Sequence, residues 1–523
     1  MTSRNLPVIA IMLYVHQTCV NQILVKKTKF LEFPASSTKL RVLCQMRMAH
    51  MDENTLKTVR KRLESRGQDH LLTFWPELSV SQREGLLHQI EGLDLDQVDV
   101  WVSRYIQGGE ASGAPPEFGP APYYRSDDGW ARDHKYQEAK RLGNVLISSG
   151  KVAAFVVAGG QGTRLGFDGP KGNFPATPVK RKTLFQVFAE TLLAASRRYG
   201  VALPWYIMTS PLNHAKTIET FEGQRYFGLD PGQVFIFQQG TLPNFDFDGR
   251  ILLASKDRIA CSPDGHGGSL KALYASGAVA DMRKRGVEYV SYWQVDNPLV
   301  TLFDPLFIGL HAMDRSDMSS KALKKAGPLE KLGNLCLVDG KVTVIEYSDL
   351  SDELAHKRNP DGSLVFELGS IGIHVISRSF VERLNANGFA LPLHKAVKKI
   401  PCVDASGQPV EPNEPNGIKL ESFVFDAIPL AARSVILETT REEEFAPIKN
   451  AKGMDSAESS REMMVERAAL WLQASGISIP RDEQGRPDCT IEIAPSFALH
   501  RGDVRANLAR VPDIRPKAEY YLD

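Results

Sequence analysis

From residue 51 the apolar positions fall at helical spacing: Leu56, Val59 and Leu63, then Leu71, Leu72, Phe74 and Trp75. Residues 82–90 continue as a helix, with Ser81 as its expected N-cap. This predicts a helical region over 51–142 that runs through a Gly/Pro-rich connection at 108–122. Past residue 150 the pattern changes. Short apolar runs at Val152–Val157, Trp205–Thr209, Val234–Gln238 and 289–295 predict buried strands. Between them, apolar residues three and four apart predict helices over 183–199 (Leu184, Val187, Phe188, Leu192) and 269–285. Two further apolar runs, 335–338 and 342–346, flank Asp339-Gly340 and predict a hairpin that adds antiparallel strands. Strands alternating with helices predict an α/β domain over 143–437. Its sheet is doubly wound, mixed and mostly parallel, with helices on both faces. Residues 438–523 are expected to form a small C-terminal domain.

The first 50 residues break with this pattern. A short apolar run behind Arg4 imitates a signal peptide, but it has no small-x-small cleavage site and is too short to span a bilayer. The segment is expected to be an extension, disordered or upstream of the true start, with a targeting segment as the alternative. The chain as a whole has ordinary soluble composition, 43% hydrophobic and 24% charged, and no other stretch suited to a membrane. A net charge of +1 supplies no field to draw nucleic acid or a membrane surface. The six cysteines are widely spaced with no Cys-x-x-Cys pair, so neither a zinc site nor a disulfide framework is indicated. Reduced thiols in a cytoplasmic protein are the expectation. A monomer or homodimer is expected.

The chemistry concentrates after the first strand, in Val156-Val-Ala-Gly-Gly-Gln-Gly-Thr-Arg-Leu-Gly-Phe-Asp-Gly-Pro-Lys-Gly172. Glycines let backbone N–H groups turn toward an anion, and Arg164 and Lys171 bring cations to the same loop. Two common phosphate loops are excluded. Gly162 is followed by Thr-Arg-Leu-Gly, not the Gly-Lys-Ser/Thr of a Walker A loop. Gly160, Gly162 and Gly166 leave one spacer too many for the dinucleotide fingerprint, which counts against a nicotinamide enzyme.

Other candidates are weak one at a time. Asp296 ends a strand, where a carboxylate can hold a divalent cation or merely cap a turn. Pro263-Asp-Gly-His-Gly-Gly268 offers free N–H groups before a helix, or is a plain loop. Gln239 can match a donor and an acceptor on a base, or simply start a loop. Glu346 and Tyr347 end the hairpin. Phe423 and Phe425, two apart, suit a core as well as a site. Lys449 follows an acidic run.

Taken in order, these segments resemble eukaryotic-type UDP-N-acetylglucosamine (UDP-N-acetylhexosamine) pyrophosphorylases over roughly residues 55–455. The motifs are Ala158-Gly-Gly-Gln-Gly-Thr-Arg-Leu-Gly166, Pro170-Lys-Gly172, Phe237-Gln-Gln-Gly-Thr-Leu-Pro243, Pro263-Asp-Gly-His-Gly-Gly268, Val295-Asp-Asn297, Val344-Ile-Glu-Tyr-Ser348, Lys419-Leu-Glu-Ser-Phe-Val-Phe-Asp426 and Glu444-Phe-Ala-Pro-Ile-Lys-Asn450. The resemblance implies a nucleotidyltransferase-type fold and a uridylyltransferase that takes UTP and a sugar 1-phosphate. It implies that Gly159 and Gly160 line the nucleotide, that Gln239 and Gly265 read uracil, and that Arg164 and Lys171 serve the phosphates. Asp296 would hold Mg2+ (or Mn2+). Gly333, Glu346 and Tyr347 would face the sugar, Phe423 and Phe425 would wall its pocket, and Lys449 would reach its phosphate with Lys419 close by.

Two positions depart from that family. His266 stands where it has Asn in Gly-Asn-Gly-Gly, so this loop is more similar to the Gly-His-Gly of UDP-glucose and broad UDP-sugar pyrophosphorylases. Ser370 stands where the family has an Asn that contacts sugar. Both lie on the sugar side, leaving glucose or galactose 1-phosphate as the alternative acceptor. A catalytically silent sugar-nucleotide binder is the alternative of another class, disfavoured because binding alone would not need Arg164, Lys171, Asp296 and Lys449 together.

Overall fold

The computed structural model describes residues 55–108, 115, 117–126, 133–389 and 391–523. The expected extension over 1–50 lies outside them. By its contacts the chain divides into two units, residues 1–69 and 70–523. Within the first, residues 55–64 form a helix.

The second unit is built on a 10-stranded sheet. Its principal strands are β1 (Val152–Val157), β2 (Trp205–Thr209), β3 (Val234–Gln238), β4 (Tyr289–Gln294), β5 (Met318–Lys324), β6 (Asn334–Val338), β7 (Lys341–Ile345), β8 (Leu368–Ser377) and β9 (Ile436–Thr439). The spatial order is β6-β8-β4-β1-β2-β3, with β5 between β8 and β9 and with β7 on β6. β4, β1, β2 and β3 run parallel, as do β5 and β9, while β8 pairs antiparallel with both β4 and β5. The sheet is therefore mixed, and the nucleotide-type loop leaves the carboxyl end of its central strand. In such sheets that is where ligands sit.

Alternate side chains of β1 feed two cores. Val152, Ala154 and Val156 join Phe185, Phe188, Leu192, Trp205 and Trp293 on one face. Ala153 and Phe155 join Met208, Leu270, Leu273 and Tyr292 on the other. Both faces of β1 are covered by helices, which is why it is an unbroken apolar run rather than an alternating one. The predicted hairpin forms with Val338 opposite Lys341, and positive φ at Asp339 (47°) and Gly340 (74°) gives the type I′ turn expected of Asp-Gly.

Two local expectations are corrected. The helix expected from residue 82 with Ser81 as cap is Val80–Glu91, and its N-cap is Ser79. Ser79 and Gln82 bond reciprocally as a capping box, so the Ser-x-x-Gln spacing outweighs the apolar start. The helix expected over 269–285 is two helices, Gly268–Ala275 and Ala278–Arg285. The break falls at Gly277, whose φ of 85° is left-handed.

In residues 457–523 the helix Ala457–Gln473 packs with Ile491, Phe497 and Leu522 in a core cluster of their own. This region grips the chain just beyond the glycine-rich loop. Arg461 donates to the carbonyls of Pro175 and Ala176. The Glu492 carboxylate accepts from the N–H groups of Val179 and Lys180. Cys261, Cys336, Cys402 and Cys489 are free thiols. Among the described residues no helix is long and apolar enough to cross a membrane.

Candidate functional site

The loop after β1 is held in shape by its own backbone. The Gly162 N–H donates to Gly169 O at 2.9 Å, and the Lys171 N–H donates to Gly160 O at 3.0 Å. A buried side chain absent from the sequence reading completes the hold. Asn213 donates to Ala158 O (2.9 Å) and Gly160 O (3.1 Å) and accepts from the Ser210 N–H. Gly160 carbonyl is thus doubly engaged, and the loop is preorganised. Arg164 lies exposed on the turn Thr163–Leu165. Lys171 is mostly buried, with Nζ 3.8 Å from Asp296 Oδ2. Asp296 follows β4 and Lys171 closes the loop that follows β1, the adjacent parallel strand; the Lys171 N–H bond to Gly160 O folds the loop back so that the two meet.

Asp296 is a buried carboxylate beside the loop. Among the described residues no group of three or more His, Cys, Asp or Glu gathers to hold a metal. Mg2+ commonly takes one or two carboxylates and completes its shell with water and substrate phosphate. A single buried carboxylate beside a phosphate-type loop fits that pattern.

Next to Gly159 lies Gln239, buried, its N–H donating to Thr209 O at 2.8 Å. Gln239 Nε2 donates to Asp264 Oδ1 at 3.2 Å. Burial pushes the Asp264 carboxyl up to about 6, with the Gln239 bond opposing the shift. Asp264 also accepts at its carbonyl from both the N–H and the hydroxyl of Ser422. Gly265 follows with φ 82°, and a Cβ there would meet Ser422 O at 2.3 Å. The second glycine-rich loop is therefore docked directly on the segment that carries Phe423 and Phe425.

His266 joins the same contact. Its ring stacks on Phe423 at 5.2 Å and 19°, and its Nδ1 accepts from the Val424 N–H at 3.0 Å. That bond leaves the proton on Nε2. Burial, with His394 adding to it, lowers the His266 pKa to about 4, so the ring is neutral near pH 7. Phe423 also stacks on His394 at 4.3 Å, and His394 Nε2 bonds Asp426 Oδ2 at 2.9 Å. Burial works against charge on His394, but Asp426 and then Glu346 outweigh it and raise its pKa. His394 was not legible as a site residue, because only the fold stacks a second imidazole on Phe423.

A cleft open to solvent lies beside Asp296, with His266, Gly333, Glu346, Ser370, Phe425 and Lys449 on its walls. Burial raises the Glu346 pKa, with Asp349 adding to it. The Ser370 N–H donates to Gly333 O at 2.8 Å, fixing those two walls together. Gln294 and His374, which the sequence reading did not single out, also line the cleft. Tyr347, Lys419 and Phe423 are not on its walls; Phe423 backs His266, on whose ring it stacks. Tyr347 is 46% exposed just past β7, and Lys419 sits opposite Ala396 in the pairing of Gly417–Glu421 with His394–Lys398. The arrangement is a glycine loop held rigid by its own backbone and Asn213, a carboxylate with an ammonium beside it, and a polar cleft that the carboxylate lines and that has an aromatic wall.

A family model described as UTP–glucose-1-phosphate uridylyltransferase matches residues 131–519. The chain belongs to this uridylyltransferase family. Relatives within it agree. The chain is 38% identical over 464 residues, 84% of its length and 92% of the relative's, to human UDP-N-acetylhexosamine pyrophosphorylase-like protein 1. It is 35% identical to UDP-N-acetylglucosamine pyrophosphorylase of Saccharomyces cerevisiae, covering 78% of this chain and 90% of that one. Among solved structures it resembles a putative UDP-N-acetylglucosamine pyrophosphorylase from Entamoeba histolytica, with a TM-score of 0.68 and 32% identity over 78% of this chain and 100% of that one. The Trypanosoma brucei UDP-N-acetylglucosamine pyrophosphorylase, solved with an inhibitor, matches at TM-score 0.75 and 26% identity, covering 90% of this chain and 98% of that one. A UDP-glucose pyrophosphorylase of Leishmania major shares the fold at TM-score 0.56 and 16% identity over 83% of this chain and 88% of that one. The mixed α/β sheet is thus a pyrophosphorylase fold.

Proposed function

We propose that this chain transfers the uridylyl group of UTP to an N-acetylhexosamine 1-phosphate, forming a UDP-N-acetylhexosamine and pyrophosphate. The observation that carries this reading is Lys171 Nζ 3.8 Å from Asp296, a wall residue of the polar cleft, at the end of a glycine loop braced by its own backbone. A phosphate oxygen of the sugar 1-phosphate attacks the α-phosphorus of UTP. A new P–O bond forms, and the bond from the α-phosphorus to the α,β-bridging oxygen breaks. Pyrophosphate leaves with the electron pair. The nucleophile is already anionic, so the reaction needs positioning and charge neutralisation rather than a protein nucleophile or base.

In this reading Gly159, Gly160, Gln239 and Gly265 hold the nucleotide. Lys171 neutralises the α-phosphate and Arg164 the departing pyrophosphate. Lys449 holds the sugar phosphate, and Glu346, with its raised pKa, and the Phe425 wall hold the sugar. Asp296 would hold Mg2+ (or Mn2+), which when bound neutralises phosphate oxygens. A cytoplasmic setting suits the free thiols.

One observation favours a second acceptor. His266 and Ser370 both line the cleft and both depart from the residues expected for an acetamido sugar. Glucose or galactose 1-phosphate is the acceptor in that case. Pyrophosphate release from UTP, measured against a panel of sugar 1-phosphates with Mg2+, decides. Release with the N-acetylated sugars over the plain hexoses supports the first reading. The reverse preference selects the second. No release with any sugar overturns both.

A further inference from the structure

Three hydrogen bonds tie the end of β4 to the segment that carries Lys449. Asn297 Nδ2 donates to Glu444 O at 2.7 Å. Asn297 Oδ1 accepts from the Ala446 N–H at 3.1 Å. Asp296 O accepts from the Ile448 N–H at 2.8 Å. The bonded residues are 444, 446 and 448, every second one, as along the edge of a strand. The residues between them, Phe445, Pro447 and Lys449, are the ones that line the cleft beside Asp296. One side of the segment is spent on the clamp, so the other side is turned to the ligand.

The start of the segment is anchored as well. The Glu444 carboxylate accepts from the Thr301 N–H and pairs with Lys321, which also pairs with Asp304. Asn297, Glu444 and Lys321 are all buried. Burial disfavours the charge on Lys321, but Asp304 and Glu444 outweigh it and keep the ammonium charged. The Ser460 hydroxyl donates to Ala446 O at 2.7 Å.

We propose that Asn297 is a positioning residue for the transfer reaction. Its carboxamide fixes the register of residues 444–449 against Asp296, so Lys449 and Asp296 meet the substrates as one rigid pair, anchored by Glu444 on Lys321. This rests on the function proposed above, in which Asp296 serves the nucleotide phosphates and Lys449 the sugar phosphate. Asn297 borders the cleft as well, but both ends of its carboxamide are spent on Glu444 O and the Ala446 N–H, so it acts through that segment. Its effect falls on the acceptor side, because the nucleotide loop is held separately by Asn213.

Asn297→Ala in the full chain tests this by two readouts. Steady-state kinetics should show the KM for the sugar 1-phosphate raised at least fivefold and kcat lowered at least tenfold, with the KM for UTP within twofold. Amide hydrogen exchange should be at least tenfold faster at Ala446 and Ile448, with β1 unchanged. Unaltered exchange at those amides, or a fall in kcat with both KM values unchanged, overturns the proposal. If Asn297→Ala yields no folded protein, Glu444→Gln takes its place. It leaves Asn297 and an acceptor for Thr301 intact and removes only the charge on the anchor. The same kinetic split is expected, and its absence overturns the proposal. A wild-type chain that transfers no uridylyl group overturns the functional reading instead, and the exchange comparison still decides the clamp.

Discussion

Gln239 Oε1 stands where a side chain on Gly159 would begin: a Cβ built on Gly159 would lie 2.4 Å from it. No methyl group fits there unless the Gln239 amide moves. That amide is committed, with Nε2 donating to Asp264 and the side chain buried. Gly159→Ala should therefore displace Gln239 at a steric cost of about 1–3 kcal/mol. The KM for UTP should rise about tenfold, corresponding to about 1.4 kcal/mol of binding. The sugar 1-phosphate KM should hold. An unchanged UTP KM in a folded variant would show that Gln239 does not contact the nucleotide.

Asp264 makes this pair sensitive to pH. Its carboxyl sits at about 6 in the fold against an ordinary value of 3.8, through burial. The folded state thus holds the proton more tightly than the unfolded chain, and stability falls as pH rises between those two values. Above about 6 the carboxylate is charged in both states, and the full cost is about 3 kcal/mol. Asp264→Asn removes that ionisation. Urea unfolding should show the variant gaining stability over the parent, by about 1–2 kcal/mol at pH 5 and about 3 kcal/mol at pH 7.5. A gain that does not grow with pH over that window would contradict the raised value. In the parent the UTP KM should increase below pH 6, where a protonated Asp264 no longer holds Gln239 as an ionised acceptor.

The glycine loop was legible because its meaning is local: spacing along the chain decides which N–H groups can converge. The strands β1 to β4 were legible for a similar reason, as apolar runs that both faces of a sheet must cover. Asn213, Asn297 and His394 were not. Asn213 acts on carbonyls more than 50 positions earlier in the chain, and Asn297 on a segment nearly 150 residues later. His394 gains a role only where the pairing of His394–Lys398 with Gly417–Glu421 brings its ring against Phe423. Side chains whose partners are remote carry no periodic or motif signal. The break at Gly277 and the cap at Ser79 show the opposite error, an apolar pattern weighed above a stronger local signal.

Lys171 and Asp296 give the sharpest test of the chemistry. With Nζ 3.8 Å from Oδ2, the ammonium is held at the point where phosphate charge is expected to develop. Lys171→Ala should lower kcat by about 100- to 1,000-fold, as loss of a transition-state charge partner does. The sugar 1-phosphate KM should change little. Turnover within threefold of the parent would remove Lys171 from the transition state. Lys171→Arg keeps the charge on a longer, forked head and should recover part of the loss.

His266 bears on the choice of sugar. Its Nδ1 is spent on the Val424 N–H and its face on Phe423, which is itself backed by His394. Asn at this position can still accept from Val424 through its amide oxygen, but it cannot stack. His266→Asn should therefore keep the backbone docking of the second glycine loop while loosening Phe423 and vacating part of the cleft wall. The vacated space adjoins the cleft that Ser370 also lines, so it is available to an acetamido group. The ratio of kcat/KM for an N-acetylhexosamine 1-phosphate over glucose 1-phosphate should rise at least fivefold, with the UTP KM within twofold. Because the neutral ring has a pKa of about 4, the wild-type ratio should be flat from pH 6 to 8. An unchanged ratio in the variant would mean that His266 supports the wall without selecting the sugar. A wild-type ratio that does titrate in that window would point instead to His394, whose pKa is raised by Asp426 and Glu346 against the opposing effect of burial.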